Sequence, residues 1–209
     1  MLDGLMRRLI DPPLDRAGAA LARGRIPADL LTGLGLLAGL GAAAAVAAGA
    51  DPLALGLLAL GRVLDGLDGA TARASRMTDR GGFLDIVFDF IFYGAIPLAF
   101  ALRDPGANAL AAAVLLFSFY VNGATFLAYA AVAAKRGLES RLRGLKSIHF
   151  TIGLAEGTET ILAFAAMILL PAWFPLIAYG FAGLTLMTAV ARITLAWWVF
   201  ADEVEDGPD

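Results

Sequence analysis

Asp65-Gly66-Leu67-Asp68-Gly69-Ala70-Thr71-Ala72-Arg73 and, seven residues later, Gly81-Gly82-Phe83-Leu84-Asp85-Ile86-Val87-Phe88-Asp89 set four acids into otherwise apolar surroundings. Asp65 and Asp68 are three apart and share one helical face; Asp85 and Asp89 are four apart and share another. A short connection makes the two helices antiparallel neighbours. The spacing therefore predicts four carboxylates converging at one depth, near the end where the connection lies.

The chain on either side explains why these are membrane helices. Of 209 residues, 59% are hydrophobic, and the mean hydropathy is +0.76. A soluble domain of this length needs more polar surface to cover itself. The apolar residues come in runs of about 20, the length that crosses a ~30 Å hydrocarbon core as helix. We expect an all-α integral membrane protein with six transmembrane helices. Their approximate limits are Ala28 to Ala48, Leu53 to Arg73, Gly82 to Leu102, Asn108 to Ala134, Ile148 to Leu170 and Phe174 to Phe200. Gly49-Ala50-Asp51-Pro52, Asp104-Pro105-Gly106 and Pro171-Ala172-Trp173 supply turn signals between them.

Leu2, Leu5, Met6, Leu9 and Ile10 share a face beside Arg7 and Arg8, which reads as a short amphipathic surface helix ended by Asp11-Pro12-Pro13. Residues 1–25 thus form a juxtamembrane segment and 26–201 the helical domain. Residues 202–209 form an acidic tail, expected to be solvated and disordered. No cleaved signal peptide is read at the N-terminus. Basic residues cluster before the first span, between the second and third, and between the fourth and fifth, whereas the opposite loops hold only Arg103. The positive-inside rule then puts both termini and the acid-bearing connection in the cytoplasm, with the chain in the cell (inner) membrane. There is no cysteine, which excludes disulfides and thiolate chemistry, and the single His149 excludes a multi-histidine metal site.

An aspartate at mid-membrane costs roughly 2.5–3.5 kcal/mol even on lenient scales, and close carboxylates repel. Bound cations answer both problems. Oxygen-only ligands favour hard ions such as Mg²⁺ or Mn²⁺. Four carboxylates suit two ions, and such a pair can clamp the attacking and leaving oxygens of a phosphoryl transfer. Gly69 and Ala72 lie on the acid-bearing face, leaving room for a flat ligand. Arg73 offers a fork for phosphate, and the amides expected to open the next helix at Gly81-Gly82 favour an anion. For any single acid, a helix cap or an ion pair with Arg62 or Arg73 is an equal competitor. For four on matched faces, the site reading prevails.

At these residues the chain resembles the CDP-alcohol phosphotransferase family. Asp65, Asp68-Gly69, Ala72-Arg73, Gly81, Asp85 and Asp89 fill every fixed position of its motif. The one departure is the connection 74–80, seven residues where eight are usual. The resemblance implies that the four aspartates hold two divalent metals, that Gly69 and Ala72 line a cytidine site, and that Asp89 also acts as general base. It implies a CDP-lipid donor, CDP-diacylglycerol, an alcohol acceptor, release of CMP, a role in phospholipid synthesis and a homodimer. Asp29 and Thr32 match a family segment near the nucleotide, where Asn is common at the position of Asp29; the preferred reading of Asp29 is a helix N-cap. Gly35 and Gly39 read as a tight helix contact.

The acceptor side stays open. Glu156 and Glu159 on the fifth span either pair with Arg192 or hold the acceptor. Lys135, Arg136, Arg141, Arg143 and Lys146 either meet an acceptor phosphate or anchor to anionic lipid. Ser118, Tyr120 and Asn122 read as interhelical hydrogen-bonding groups. No nucleic-acid partner is expected. Rival readings are an intramembrane prenyltransferase, a cation transporter, or a non-catalytic family member that uses the acids for metal binding. The first calls for two distant acidic motifs and the second for an internal repeat; the sequence has neither.

Overall fold

The computed structural model describes residues 3–137 and 157–201, with side chains from Ile10 onward in the first helix, and every regular element among them is helical. In chain order these are α1 Asp3–Arg23, α2 Ala28–Ala47, α3 Asp51–Ala74, α4 Asp79–Arg103, α5 Pro105–Lys135, α6 Gly157–Leu169 and α7 Phe174–Val199. A 3-10 turn, Pro171–Trp173, leads into α7. Four of them are long and apolar enough to cross a membrane: α2, α4, α5, and α7 with its 3-10 turn. α3 has the length, at 24 residues, but carries Asp51, Arg62, Asp65, Asp68 and Arg73. α6 shows 13 residues. The expected start of that span at Ile148, like the acidic tail 202–209, lies outside the described residues.

Short-range chemistry sets the boundaries. Gly49 ends α2 with φ +75°, a conformation that favours glycine. Asp104 caps α5, its Oδ1 accepting from the Ala107 amide at 3.1 Å. Thr78 caps α4 in the same way, accepting from the Gly81 amide at 3.0 Å. That cap corrects one expectation, because α4 opens at Asp79 rather than at Gly81-Gly82, and the Gly81 amide is already engaged.

A second correction concerns α1, which runs through Pro12 and Pro13 instead of ending there. Interior prolines remove backbone donors and cost about 3 kcal/mol. Packing of α1 along α3 supplies the compensation. Leu14 closes over Gly66, Gly18 meets the backbone of Ala70 and Thr71, and Asp15 pairs with Arg73 at 2.8 Å.

α2 packs between α3 and α4, α4 continues the contact to α5, and α5 packs on α7. α6 touches α3 and α7. The shared core holds Phe92, Ile96, Phe100, Leu115, Phe164, Met167 and Phe174, all almost fully buried. Phe92 and Phe164 meet edge to face, and Phe100 stacks on Phe174 at 4.2 Å. Gly35 and Gly39 form the expected tight contact: Gly35 lies against Gly61 and Leu64, and a Cβ on Gly39 would come 2.6 Å from the Phe92 ring.

Gly39→Val is accordingly expected to destabilise the protein by about 1–3 kcal/mol, because the buried ring cannot turn away. The few tenths gained in helix propensity do not offset this. Thermal unfolding in detergent measures the loss. Gly33→Val, where nothing lies within 4 Å, is the control expected to change little.

Candidate functional site

Asp65 and Asp68 lie in the last turns of α3, and Asp85 and Asp89 in the early turns of α4, beside the four-residue connection from Ser75 to Thr78. One carboxylate oxygen from each of Asp65, Asp68 and Asp85 falls within 4.8 Å of the others. The three differ in setting: Asp68 is buried at 6% exposure, Asp65 is partly buried and Asp85 faces outward. The site is thus a wall of acids open on the Asp85 side.

Asp68 is the informative member. Its Oδ2 is buried and has no hydrogen-bond partner. Thr32, on α2, faces the same carboxylate, and its hydroxyl donates to the Ala28 carbonyl at 3.1 Å. A buried carboxylate oxygen without a partner is costly, and natural sites seldom tolerate one without a ligand to complete it. Two further carboxylates stand within reach of that oxygen's group, with no nitrogen or sulfur ligand among them. The donor set fits a hard divalent cation.

Asp89 has a different neighbour. Arg62, one turn before Asp65 on α3, places Nη1 at 3.4 Å from Asp65 Oδ2 and 3.4 Å from Asp89 Oδ1. Its guanidinium also lies over the Phe92 ring, 4.6 Å from the centroid. Of the four acids, three gather around a common centre, and the fourth is held beside them by an arginine. Sequence alone assigns Arg62 only a structural role, as a possible ion-pair partner. An arginine at i−3 from Asp65 within an apolar run is the signal that points further.

The remaining motif residues fall close by. Arg73 lies half exposed against Asp15 of α1, and its Nη1 is 3.4 Å from where a Gly69 Cβ would stand. Gly69 thus leaves the room that Arg73 now occupies. Ala72 is partly buried near the end of α3. A Cβ on Gly81 would meet Thr78 Oγ1 at 3.1 Å and Asp29 Oδ1 at 3.3 Å. Asp29 does not cap its helix: Pro27 occupies the N-cap, and Asp29 lies in the first turn, paired with Arg80. Pro27 already takes the extended N-cap conformation, with φ −66° and ψ 137°, so Asp29 falls inside the helix. Of these three residues, Thr32 faces Asp68, and Asp29 stands beside Gly81.

On the far side, Arg192 of α7 donates through Nη1 to Asn122 Oδ1 at 2.9 Å, to the Asn122 carbonyl and to Thr125 Oγ1, both at 3.0 Å. Asn122 is therefore an interhelical partner, as expected. Ser118 instead donates to Leu115 within its own helix, and Tyr120 points outward at 75% exposure. Arg192 also borders a groove of about 640 Å³ between α5 and the end of α7, lined by Tyr129, Val132 and Trp197 among others. Glu159 is partly buried at the start of α6. Arg141, Arg143, Lys146, His149 and Glu156 lie outside the described residues.

Most of the chain is similar to known proteins. The profile of a family described as CDP-alcohol phosphatidyltransferase matches residues 25–200. The chain is 44% identical over 193 residues to the inner membrane protein YnjF of Escherichia coli, covering 92% of this chain and 94% of that one. It is 28% identical over 204 residues to the archaetidylinositol phosphate synthase of Methanothermobacter thermautotrophicus, covering 92% and 91% respectively.

Proposed function

The chain belongs to the CDP-alcohol phosphatidyltransferase family, and from that membership we propose that it transfers a phosphatidyl group from CDP-diacylglycerol to an alcohol, releasing CMP, in phospholipid synthesis. The observation that carries this reading is the buried, unpartnered Asp68 oxygen within a cluster of three convergent carboxylates. Two divalent cations, Mg²⁺ or Mn²⁺, held by Asp65, Asp68, Asp85 and Asp89, would supply charge stabilisation to the diphosphate and to the departing CMP.

The chain's own residues then have distinct tasks. Asp89 accepts the proton of the acceptor hydroxyl. The resulting oxygen attacks the lipid-bearing phosphorus, a new P–O bond forms, and the P–O bond to CMP breaks. Gly69 and Ala72 leave the α3 face open to the cytidine. Arg73, released from the exposed Asp15, meets a phosphate oxygen with its fork. Asp29, Thr32 and Gly81 close the nucleotide side. Catalysis of this kind is positioning and electrostatic stabilisation.

For the acceptor, a polyol phosphate ranks first, because one relative is named an archaetidylinositol phosphate synthase. Arg141, Arg143 and Lys146 supply the cations such an acceptor needs, with Glu156, Glu159 and Arg192 holding its hydroxyl side. We further place the protein in the inner membrane, in keeping with the name of its Escherichia coli relative. In this reading α3 and α6 complete six spans, both termini and the acids face the cytoplasm, and the working unit is a homodimer.

The test is CMP release by purified protein with CDP-diacylglycerol and Mn²⁺ or Mg²⁺, across glycerol 3-phosphate, inositol phosphate, inositol, serine and a lipid alcohol. Release with one acceptor, lost on chelation by EDTA and restored by added cation, is the expected result. Release that survives chelation would remove the metal role. No release with any acceptor would leave a metal-binding membrane protein without this activity.

A further inference from the structure

We propose that Arg62 is a built-in counter-cation that holds Asp89 in place of a metal ion, so that the two cations load in order and the second must displace a guanidinium. This rests on the reading that the four acids hold two divalent cations. Three observations carry it. Arg62 Nη1 lies at the same 3.4 Å from Asp65 Oδ2 and Asp89 Oδ1, bridging the two helices. The convergent cluster contains Asp65, Asp68 and Asp85, so the acid left out of it is the one Arg62 engages away from Asp65. Arg62 is itself poorly settled: its Nε is buried with no hydrogen-bond partner, and the guanidinium is seated on the Phe92 face at 4.6 Å.

Electrostatics gives these contacts a direction. Without metal, four acids at one depth repel, and a cation shared between two of them lowers that cost. The first divalent ion enters among Asp65, Asp68 and Asp85 without disturbing the Asp89 contact. A second needs Asp89 and a share of Asp65, the two carboxylates that Arg62 bridges. There it meets like charge at short range as well as the loss of an existing ion pair. An arginine that packs on an aromatic face and leaves Nε unpaired is held loosely enough to give way. Arg62 is a positioning residue on this account: it keeps Asp89 facing the site and sets the affinity of the second ion.

Mn²⁺ binding tests this in detergent without substrate, read from loss of the free-ion EPR signal. Wild-type protein is expected to show two classes of site. Arg62→Met, which keeps a flexible apolar stem against Phe92, should tighten the weaker class on the order of tenfold. Its metal-free unfolding temperature should fall and recover with Mn²⁺. Arg62→Lys retains the charge and should keep the weak class, and Arg62→Gln is a second neutral variant should the Met form not fold.

A single class of site in the wild type would overturn the proposal. So would unchanged or weaker binding in the folded neutral variants, or equal tightening in Arg62→Lys. The enzymatic reading fails separately: wild-type protein that binds Mn²⁺ with two affinities yet releases no CMP leaves the role of Arg62 standing and removes the reaction.

Discussion

Asp68→Asn is expected to lower CMP release by at least about 10³-fold while making the metal-free protein more stable. The first half follows from position. Asp68 is the most buried of the acids, and its Oδ2 has no protein partner to fall back on. Even residues that only orient a metal ligand cost 10–100-fold when removed, and a ligand facing the reacting charge costs more. The second half follows from the same burial. Asparagine deletes one of several close negative charges and the desolvation cost of keeping it inside the protein. Stability and activity thus move in opposite directions, as they do where a site is built at the expense of the fold. CMP release and unfolding temperature, each with and without Mn²⁺, separate the two effects. In the variant, Mn²⁺ should no longer raise the unfolding temperature. If it raised it as much as in the wild type, Asp68 would not be a ligand, and the unpartnered oxygen would need another explanation.

That acid is visible in the sequence because helical spacing is a strong constraint. Residues three or four apart share a face whatever surrounds them, so spacing alone pairs Asp65 with Asp68 and Asp85 with Asp89. The helix limits are legible for a similar reason: Gly49, Asp104 and Pro171 end or cap elements through local backbone chemistry. What is not legible depends on contacts distant in sequence. Pro12 and Pro13 argue locally for a break, and only the seating of Leu14 and Gly18 on α3 reverses that. Thr78 outcompetes the glycine pair as the start of α4 through a single side-chain bond. Arg62 and Asp89 are 27 residues apart, and no periodicity reports that one guanidinium reaches both helices. Asn122 and Arg192, 70 residues apart, meet the expectation only in part, since the sequence indicates the kind of partner for Asn122 but not its identity.

Asp89→Asn should separate the fourth acid's two assigned tasks. The substitution keeps an oxygen that can face a cation and accept from Arg62, but removes the group able to take the acceptor proton. If Asp89 is the base, transfer falls by about 10²–10⁴-fold, while metal-dependent binding of CDP-diacylglycerol stays within a few-fold of wild type. If Asp89 is chiefly a ligand, the weaker Mn²⁺ class is lost and lipid binding declines with it. Near-normal turnover would remove the base assignment altogether. Arg62 sharpens the comparison, because it engages Asp89 and Asp65 alike at 3.4 Å. Combining Asp89→Asn with Arg62→Met removes the guanidinium contact from a residue that can no longer act as base. Mn²⁺ binding should then tighten relative to Asp89→Asn alone while CMP release stays lost. A double variant that regained transfer would show that the proton leaves by another route.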